Sequence, residues 1–435
     1  MNIKAKVHSC VYCGNNPVAS HFIHWYFESS NVFFTPLRQI LLNNSASKLI
    51  KKLSGEFNFS LRLVRLGEIF GILKEQNDIQ LCKVTRAKVL WQEAEKRNIQ
   101  MSELLLFSKP FDCYIARKKE FLISNYQFPI NSQIFNSKLE IPPDFATTKS
   151  LRAGRNQKST IVFSGLPRPQ NYNDSALNWM DDKWLFKKKL IDNQFPVPKG
   201  GCARNFSQAI KIFNSIEKPA IVKPRTGSRG RHSTIFVSSQ DDLKKALKIA
   251  KELNYWAIIE EQLKGPVFRA TLINFELCGV LRGDPPQVMG DGIQTIRELI
   301  NTKNSQPHPD VKDIMMDEQM ERFLSRQELR LLSVAEKGVA VNLSEKIGVN
   351  YGGSSSEDYE ICHEDNKELF IRAAKVVGDV MVGFDFIIPD IAKSWRGQKC
   401  GFIEANSLPF INLHHDPLLG KPRDVAAKVW EMLNW

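Results

Sequence analysis

The chain has 435 residues, 43% hydrophobic and 25% charged, with a net charge of +13, a length and balance that suit a globular protein of two or three domains. No apolar run approaches the roughly 18 residues of a membrane span, and the N-terminal MNIKAKVHSC lacks the apolar centre of a secretory signal. Eight cysteines are scattered along the chain apart from one close pair, which fits reduced thiols rather than a disulfide framework, so a cytoplasmic protein is expected.

The charge is unevenly shared: residues 1–165 carry 23 Lys and Arg against 12 Asp and Glu, and residues 166–435 carry 37 against 35. A basic region of this kind could attract nucleic acid, an anionic membrane surface or an acidic substrate. No nucleic-acid signature accompanies it and its aromatics lack RNP-like spacing, so the plainer reading is a solvated basic surface with neither nucleic acid nor membrane as partner.

In chain order, apolar spacing near 3.6 predicts helices over 61–76 and 84–98. Strands follow at 103–108 and 112–125, where alternation around ARKKE suggests a hairpin. The Pro-, Asn- and Ser-rich stretch 128–175 predicts a linker. Beyond it come a helix over 179–193, a break at FPVPKGG, a strand–loop–strand at 219–237, a helix at 241–253 and a strand at 256–260. Strand-like residues occupy 267–282; helical segments are expected after Gly292, near 315–334 and over 364–379, and KPRDVAAKVWEMLNW reads as a closing helix. No internal repeat or low-complexity tract is present.

Two segments carry chemistry. Residues 220–232, AIVKPRTGSRGRH, place Lys223 in an apolar strand, where its charge is costly unless it meets an anion. The loop that follows is glycine-rich and basic, and its backbone can wrap around phosphates. The complementary half is GFDFIIPD (383–390) with GFIEANSLP (401–409). Strand alternation points Glu404 and Asn406 the same way, and with Asp385 in a neighbouring strand they form an oxygen donor set suited to Mg²⁺ bridging nucleotide phosphates.

Two weaker signals stay open. Cys10, Cys13, His21 and His24 have the residue types of a structural zinc site, though the gap between pairs is short; unrelated buried thiols and histidines are the plainer reading and a redox pair a third. His232 in the basic loop is either a phosphate contact or an ordinary loop residue.

In this order, Lys183, the lysine loop, IIEEQLKGP (258–266), PPQVMGDGIQTIRELI (285–300), YGGSSSED (351–358), GFDFIIPD and FIEANSLPFINLHHDP resemble the ATP-grasp superfamily, and within it the ATP-grasp part of cyanophycin synthetases and bifunctional glutathione synthetases. The resemblance covers about residues 165–435. It implies an α+β ATP-grasp fold, two subdomains clasping ATP over 166–262 (a lid) and 263–435 (with the metal site); residues 1–165, outside the resemblance, are expected to form a separate basic α/β domain of unclear role. It further implies ATP and two Mg²⁺ ions. Lys183, Lys223 and the loop Thr226, Gly227, Ser228, Arg229 and Gly230 match phosphate-binding positions; Glu260, Glu261, Gln262 and Leu263 match the hinge along adenine. Arg269 and Arg282 match catalytic arginines, with Lys223 assisting. Asp385, Glu404 and Asn406 match the metal ligands, and Gly353, Ser354, Ser355 and His414 the acceptor side.

Three positions depart from the pattern. Val267 stands where relatives keep a carboxylate for the ribose, Gly283 occupies the usual arginine position with Arg282 one residue earlier, and Pro409-Phe410 replaces Pro-Gly. The expected activity is ATP-dependent joining of a small carboxylate to an amine, an amino acid or peptide, by a homo-oligomer. A kinase on the same fold and a non-catalytic ATP-binding protein are the alternatives.

Overall fold

The computed structural model describes residues 71–106, 108–118, 160–164, 166–169, 179–227 and 232–435, which divide between two compact units. The unit that draws on the N-terminal region contains β1 (Leu73–Gln76), α1 (Thr85–Lys96), β2 (Ile99–Leu106), β3 (Lys109–Lys118) and β4 (Thr160–Ser164), and it takes in residues 410–412 and 426–435. Its strands form one sheet in sequential order, every pair antiparallel. The described part is one helix on an antiparallel sheet, and most of residues 1–165, for which an α/β domain is expected, lie outside the described residues. Helix α1 buries Ala87, Leu90, Trp91 and Ala94, which recur at the three- and four-residue spacing of one helical face. Against it comes Trp430 of the C-terminal helix Val425–Met432, fully buried, its ring edge-to-face with Phe163 at a centroid separation of 5.7 Å and its indole N–H donating to the Leu90 carbonyl at 3.0 Å.

Two expectations for this region are corrected. Residues 73–76 are strand, not helix, because the ladder with β2 and the pairing of Arg117 with Glu75 outweigh the local 3.6 spacing. Strands β2 and β3 form a hairpin of their own, and the one expected around ARKKE reaches past Lys118 into residues outside the described ones. The supposed linker contains β4, which pairs with β3 from Cys113 to Arg117.

The other unit holds two larger sheets. The small one, ordered β5-β8-β6-β7, comprises β5 (Gly200–Ala203), β6 (Ala220–Pro224), β7 (Thr234–Val237) and β8 (Ala257–Glu261). Helices α3 (Phe206–Asn214) and α4 (Gln240–Lys251) cover one face, where Ala220, Val222, Ala257 and Ile259 pack with Phe213, Leu243 and Ala246. Ser239 and Asp242 close a reciprocal cap on α4. The opposite face therefore carries Ile221, Lys223, Ile258 and Glu260.

Before this sheet in the chain runs α2 (Lys183–Asp192), whose Phe186 and Leu190 enter the core of the large sheet. That sheet, β15-β14-β9-β10-β13-β16, is built from β9 (Val267–Ile273), β10 (Glu276–Asp284), β13 (Ser354–Glu357), β14 (Met381–Ile387), β15 (Gly401–Asn406) and β16 (Leu419–Gly420). Phe268, Phe384, Phe386 and Phe402 cluster beneath α7 (Glu364–Val377), with Phe386 and Phe402 centroids 4.9 Å apart. The expected strand over 267–282 is a hairpin, turning at Asn274 and Phe275 with φ of 50° and 63°, as a two-residue I′ turn requires. Between β10 and β13 the chain forms a ribbon of β11 (Gln287–Met289) and β12 (Ala340–Asn342) with α5 (Ile296–Asn304) and α6 (Glu318–Ser325). The helix expected over 315–334 is confined to α6. Among the described residues no helix is long and apolar enough to cross a membrane.

Candidate active site

One register row crosses the large sheet. Glu404 of β15 lies opposite Asp385 of β14, Asp385 opposite Arg269 of β9, Arg269 opposite Leu281 of β10, and Leu281 opposite Glu357 of β13. Directly opposed residues share a face, so this row projects away from the phenylalanine core. Two residues along, Asn406, Gly383, Thr271 and Gly279 form a second row on that face.

Arg269 donates through Nε and Nη2 to both oxygens of Asp385, at 2.7 and 2.8 Å. From the start of α2, Lys183 Nζ reaches Glu404 at 3.0 Å and the Gly227 carbonyl at 2.5 Å. Burial, with the nearby Glu404 carboxylate adding to it, pushes Asp385 up to about 6 against the pull of Arg269. Burial acts on Glu404 the same way, but the Lys183 ammonium and a hydrogen bond with Asp385 bring it down to about 2. The pair thus holds one carboxylate firmly ionised and one poised near neutrality.

A second charged cluster lies on the small sheet. Glu260 accepts from Lys223 of β6 at 2.5 Å and from Lys187 of α2. Burial alone would raise Glu260, but the two ammonium groups hold it below the ordinary glutamate value. Lys187 is lowered, by burial first and by Lys223 beside it. Helix α2 serves both clusters because residues four apart share a helix face. Its N-terminus is tied down: Asp182 accepts the N–H groups of Trp184 and Leu185 and both its oxygens accept from Arg225 Nε. Asp181 binds the backbone and hydroxyl of Ser407 after β15.

The remaining sequence-derived positions fall as follows. Gly227 adopts φ +121°, which a side chain would strain, and Thr226 Oγ1 accepts from Asn254. Ser228, Arg229 and Gly230 lie outside the described residues, as do Cys10, Cys13, His21 and His24. Among the described residues no group of three or more His, Cys, Asp or Glu could hold a metal. Glu261 is engaged by the Lys199 N–H and the Lys399 ammonium, Gln262 Oε1 by the Phe236 N–H, and Leu263 is buried.

Two further positions stand apart from the charged row. Arg282 pairs across the sheet with Phe268 and Ser356, on the core side of the ladder, and its Nε binds Asp284 at 2.8 Å; one residue of offset moves a side chain to the other face. It does not join Arg269 and Asp385. His414 is fully buried, Nδ1 on Glu357 at 2.6 Å and Nε2 on Thr271 at 2.7 Å, so it has no surface to offer an acceptor substrate. A side chain at Gly279 would collide with that imidazole. Ser355 lies on the same face as Glu357 and accepts from the Leu418 N–H, Ser354 lies opposite Asp284, and Gly353 precedes them in the turn. The sequence reading missed Lys187, Asp181, Asp182, Thr271 and Glu357; only Lys187, four residues after Lys183, carried a usable signal.

No protein-family model matches the chain. It is 30% identical over 263 residues to the glutathione biosynthesis bifunctional protein GshAB of Clostridium perfringens, covering 58% of this chain and 34% of that one. It is 33% identical over 261 residues to cyanophycin synthetase of Crocosphaera subtropica, covering 58% and 30%. The chain spans about a third of the length of the curated relatives it matches. A solved bifunctional glutathione synthetase from Pasteurella multocida is 27% identical with a TM-score of 0.44, over 63% of this chain and 38% of that one. The similarity to these proteins covers 58% of this chain.

Proposed function

We propose that the chain is an ATP-dependent carboxylate–amine ligase that forms an amide or peptide bond through an acyl-phosphate, with residues 166–262 and 263–435 as the two halves around the nucleotide. The observation that carries this reading is the pair of buried Asp385 and half-buried Glu404, flanked by Lys183 and Arg269. Two neighbouring carboxylates on adjacent strands fit a hard cation, and the Asn406 amide two residues along β15 has no hydrogen-bond partner for its nitrogen. Asp385, Glu404 and Asn406 would hold Mg²⁺, which would supply neutralisation of phosphate oxygens.

The chemistry sets the demands on the other residues. A carboxylate attacking the γ-phosphorus is anion meeting anion, and two unit charges about 4 Å apart repel by roughly 4 kcal/mol at an effective dielectric near 20. Lys183 and Lys223 are the cations available to offset that repulsion and to stabilise charge as ADP departs. The amine then attacks the acyl carbon, phosphate leaves, and the amine gives up a proton. No protein nucleophile is required.

The relatives' names favour amino acids and peptides as the first substrates to try. Incubation with ATP, Mg²⁺ and a panel of amino acids and dipeptides is expected to give ADP and phosphate only when both partners are present, with an amide product by mass spectrometry. A phosphorylated product without an amide would replace the ligase reading with the kinase one.

A further inference from the structure

We propose that Lys187 is a positioning residue of the nucleotide site: it is the resident counter-ion of Glu260, and so releases the Lys223 ammonium to exchange Glu260 for a phosphate oxygen. This rests on the nucleotide-binding reading above and assigns a residue which that reading leaves without a role.

The two lysines on Glu260 are not equivalent. Lys187 is 2% exposed and its amine is satisfied twice within the protein, by Glu260 Oε2 and by the Pro198 carbonyl at 3.3 Å. It leaves a helix whose neighbouring Phe186 and Leu190 are locked in the core, so it has nowhere else to go. Lys223 is 10% exposed, and Glu260 is its one side-chain partner among the described residues. It projects from the open face of β6 two residues before Arg225. Two ammonium groups on one carboxylate leave a buried excess of one positive charge. An uncompensated buried charge is unfavourable until an anion meets it, so the triad is an anion site with one exchangeable arm.

Loss of Lys187 reverses this. Glu260 would then have Lys223 as its sole counter-ion, and drawing that amine to a phosphate would strand a buried carboxylate. Lys187 thus governs phosphate affinity without touching phosphate, and removal of the Glu260 charge should suppress the defect.

The test is calorimetric binding of Mg²⁺-ATP and Mg²⁺-tripolyphosphate to the full chain and to Lys187→Met, Glu260→Gln and the double variant, with near-ultraviolet circular dichroism as the check on folding. Tripolyphosphate lacks a base, which removes any contact between Glu260 and adenine from the comparison. Lys187→Met is expected to weaken binding about tenfold or more, the scale of one charge-assisted hydrogen bond, and the double variant to return to the Glu260→Gln level. Wild-type affinity in Lys187→Met, or a double variant as weak as Lys187→Met, overturns the proposal. Should Lys187→Met fail to fold, Glu260→Gln alone decides: tighter tripolyphosphate binding than wild type supports the release of Lys223, and unchanged or weaker binding refutes it. A wild-type chain that binds neither probe overturns the nucleotide reading together with this one; a chain that binds ATP but lacks the suppression pattern overturns this one alone.

Discussion

Lys183 and Lys187 leave α2 one turn apart, yet their amines end on carboxylates of two different sheets, Glu404 of the large and Glu260 of the small. Four residues advance a helix by about 6 Å, so a single rigid element sets the spacing between the acidic pair and the lysine strand. Both contacts depend on where α2 begins, and Asp181 and Asp182 fix that start.

Glu404→Ala is expected to reduce ATP turnover on the order of 10²–10³-fold, the usual cost of removing one preorganised electrostatic group. Far-ultraviolet circular dichroism should remain that of the wild type, because Glu404 belongs to no hydrophobic cluster. Near-normal ADP release from this variant would remove the acidic pair from the reaction.

The two arginines separate cleanly. Arg282→Ala should change ATP turnover by no more than about twofold, as for a surface substitution, since Arg282 is partly exposed and its ion pair among the described residues is with Asp284. Arg269→Ala leaves Asp385 buried without its bidentate partner, and should lower both turnover and the urea midpoint. Equal losses in the two variants would contradict the register.

Asp182 performs two tasks that substitution can divide. Asparagine caps helices as well as aspartate does, so Asp182→Asn keeps the cap and weakens the bond to Arg225, whereas Asp182→Ala loses both. The alanine variant should be about 1 kcal/mol less stable than the asparagine variant by urea unfolding. Equal stability would show that the cap contributes nothing.

The Glu260 cluster predicts a pH dependence with a definite sign. Its folded value lies below the ordinary 4.5, so the unfolded chain takes up the proton first as pH falls. The stabilisation is complete above the ordinary range and disappears as acid protonates the folded carboxylate. Thermal midpoints of wild type and Glu260→Gln should therefore differ most near neutrality and converge below about pH 4. A gap that widens in acid would disprove the assignment.

Elements with strong local signals were legible: α4 and α7 fall within a few residues of the spans their apolar spacing predicts, and Glu404, Asp385 and Asn406 face one way as strand alternation requires. Long-range pairing was not. Leu73–Gln76 follows a helical pattern in sequence and becomes strand only through its ladder with β2, and Asn274-Phe275 is a weak turn signal for so tight a hairpin. Within the site, the apolar strand context gave Lys223 and the resemblance gave Glu260, but neither gave their shared cluster with Lys187, which arrives from a helix more than seventy residues upstream of Glu260. Arg282 and His414 came from the family resemblance, which carries no information on the register that turns Arg282 toward Asp284 or on the contacts of His414 to Glu357 and Thr271.

Trp430 gives the first sheet an unusual schedule. The face of α1 that it covers is synthesised more than three hundred residues earlier, so an emerging polypeptide lacks that cover until the helix Val425–Met432 has been made. A chain cut before Val425 should therefore have a looser sheet although all its strands are present.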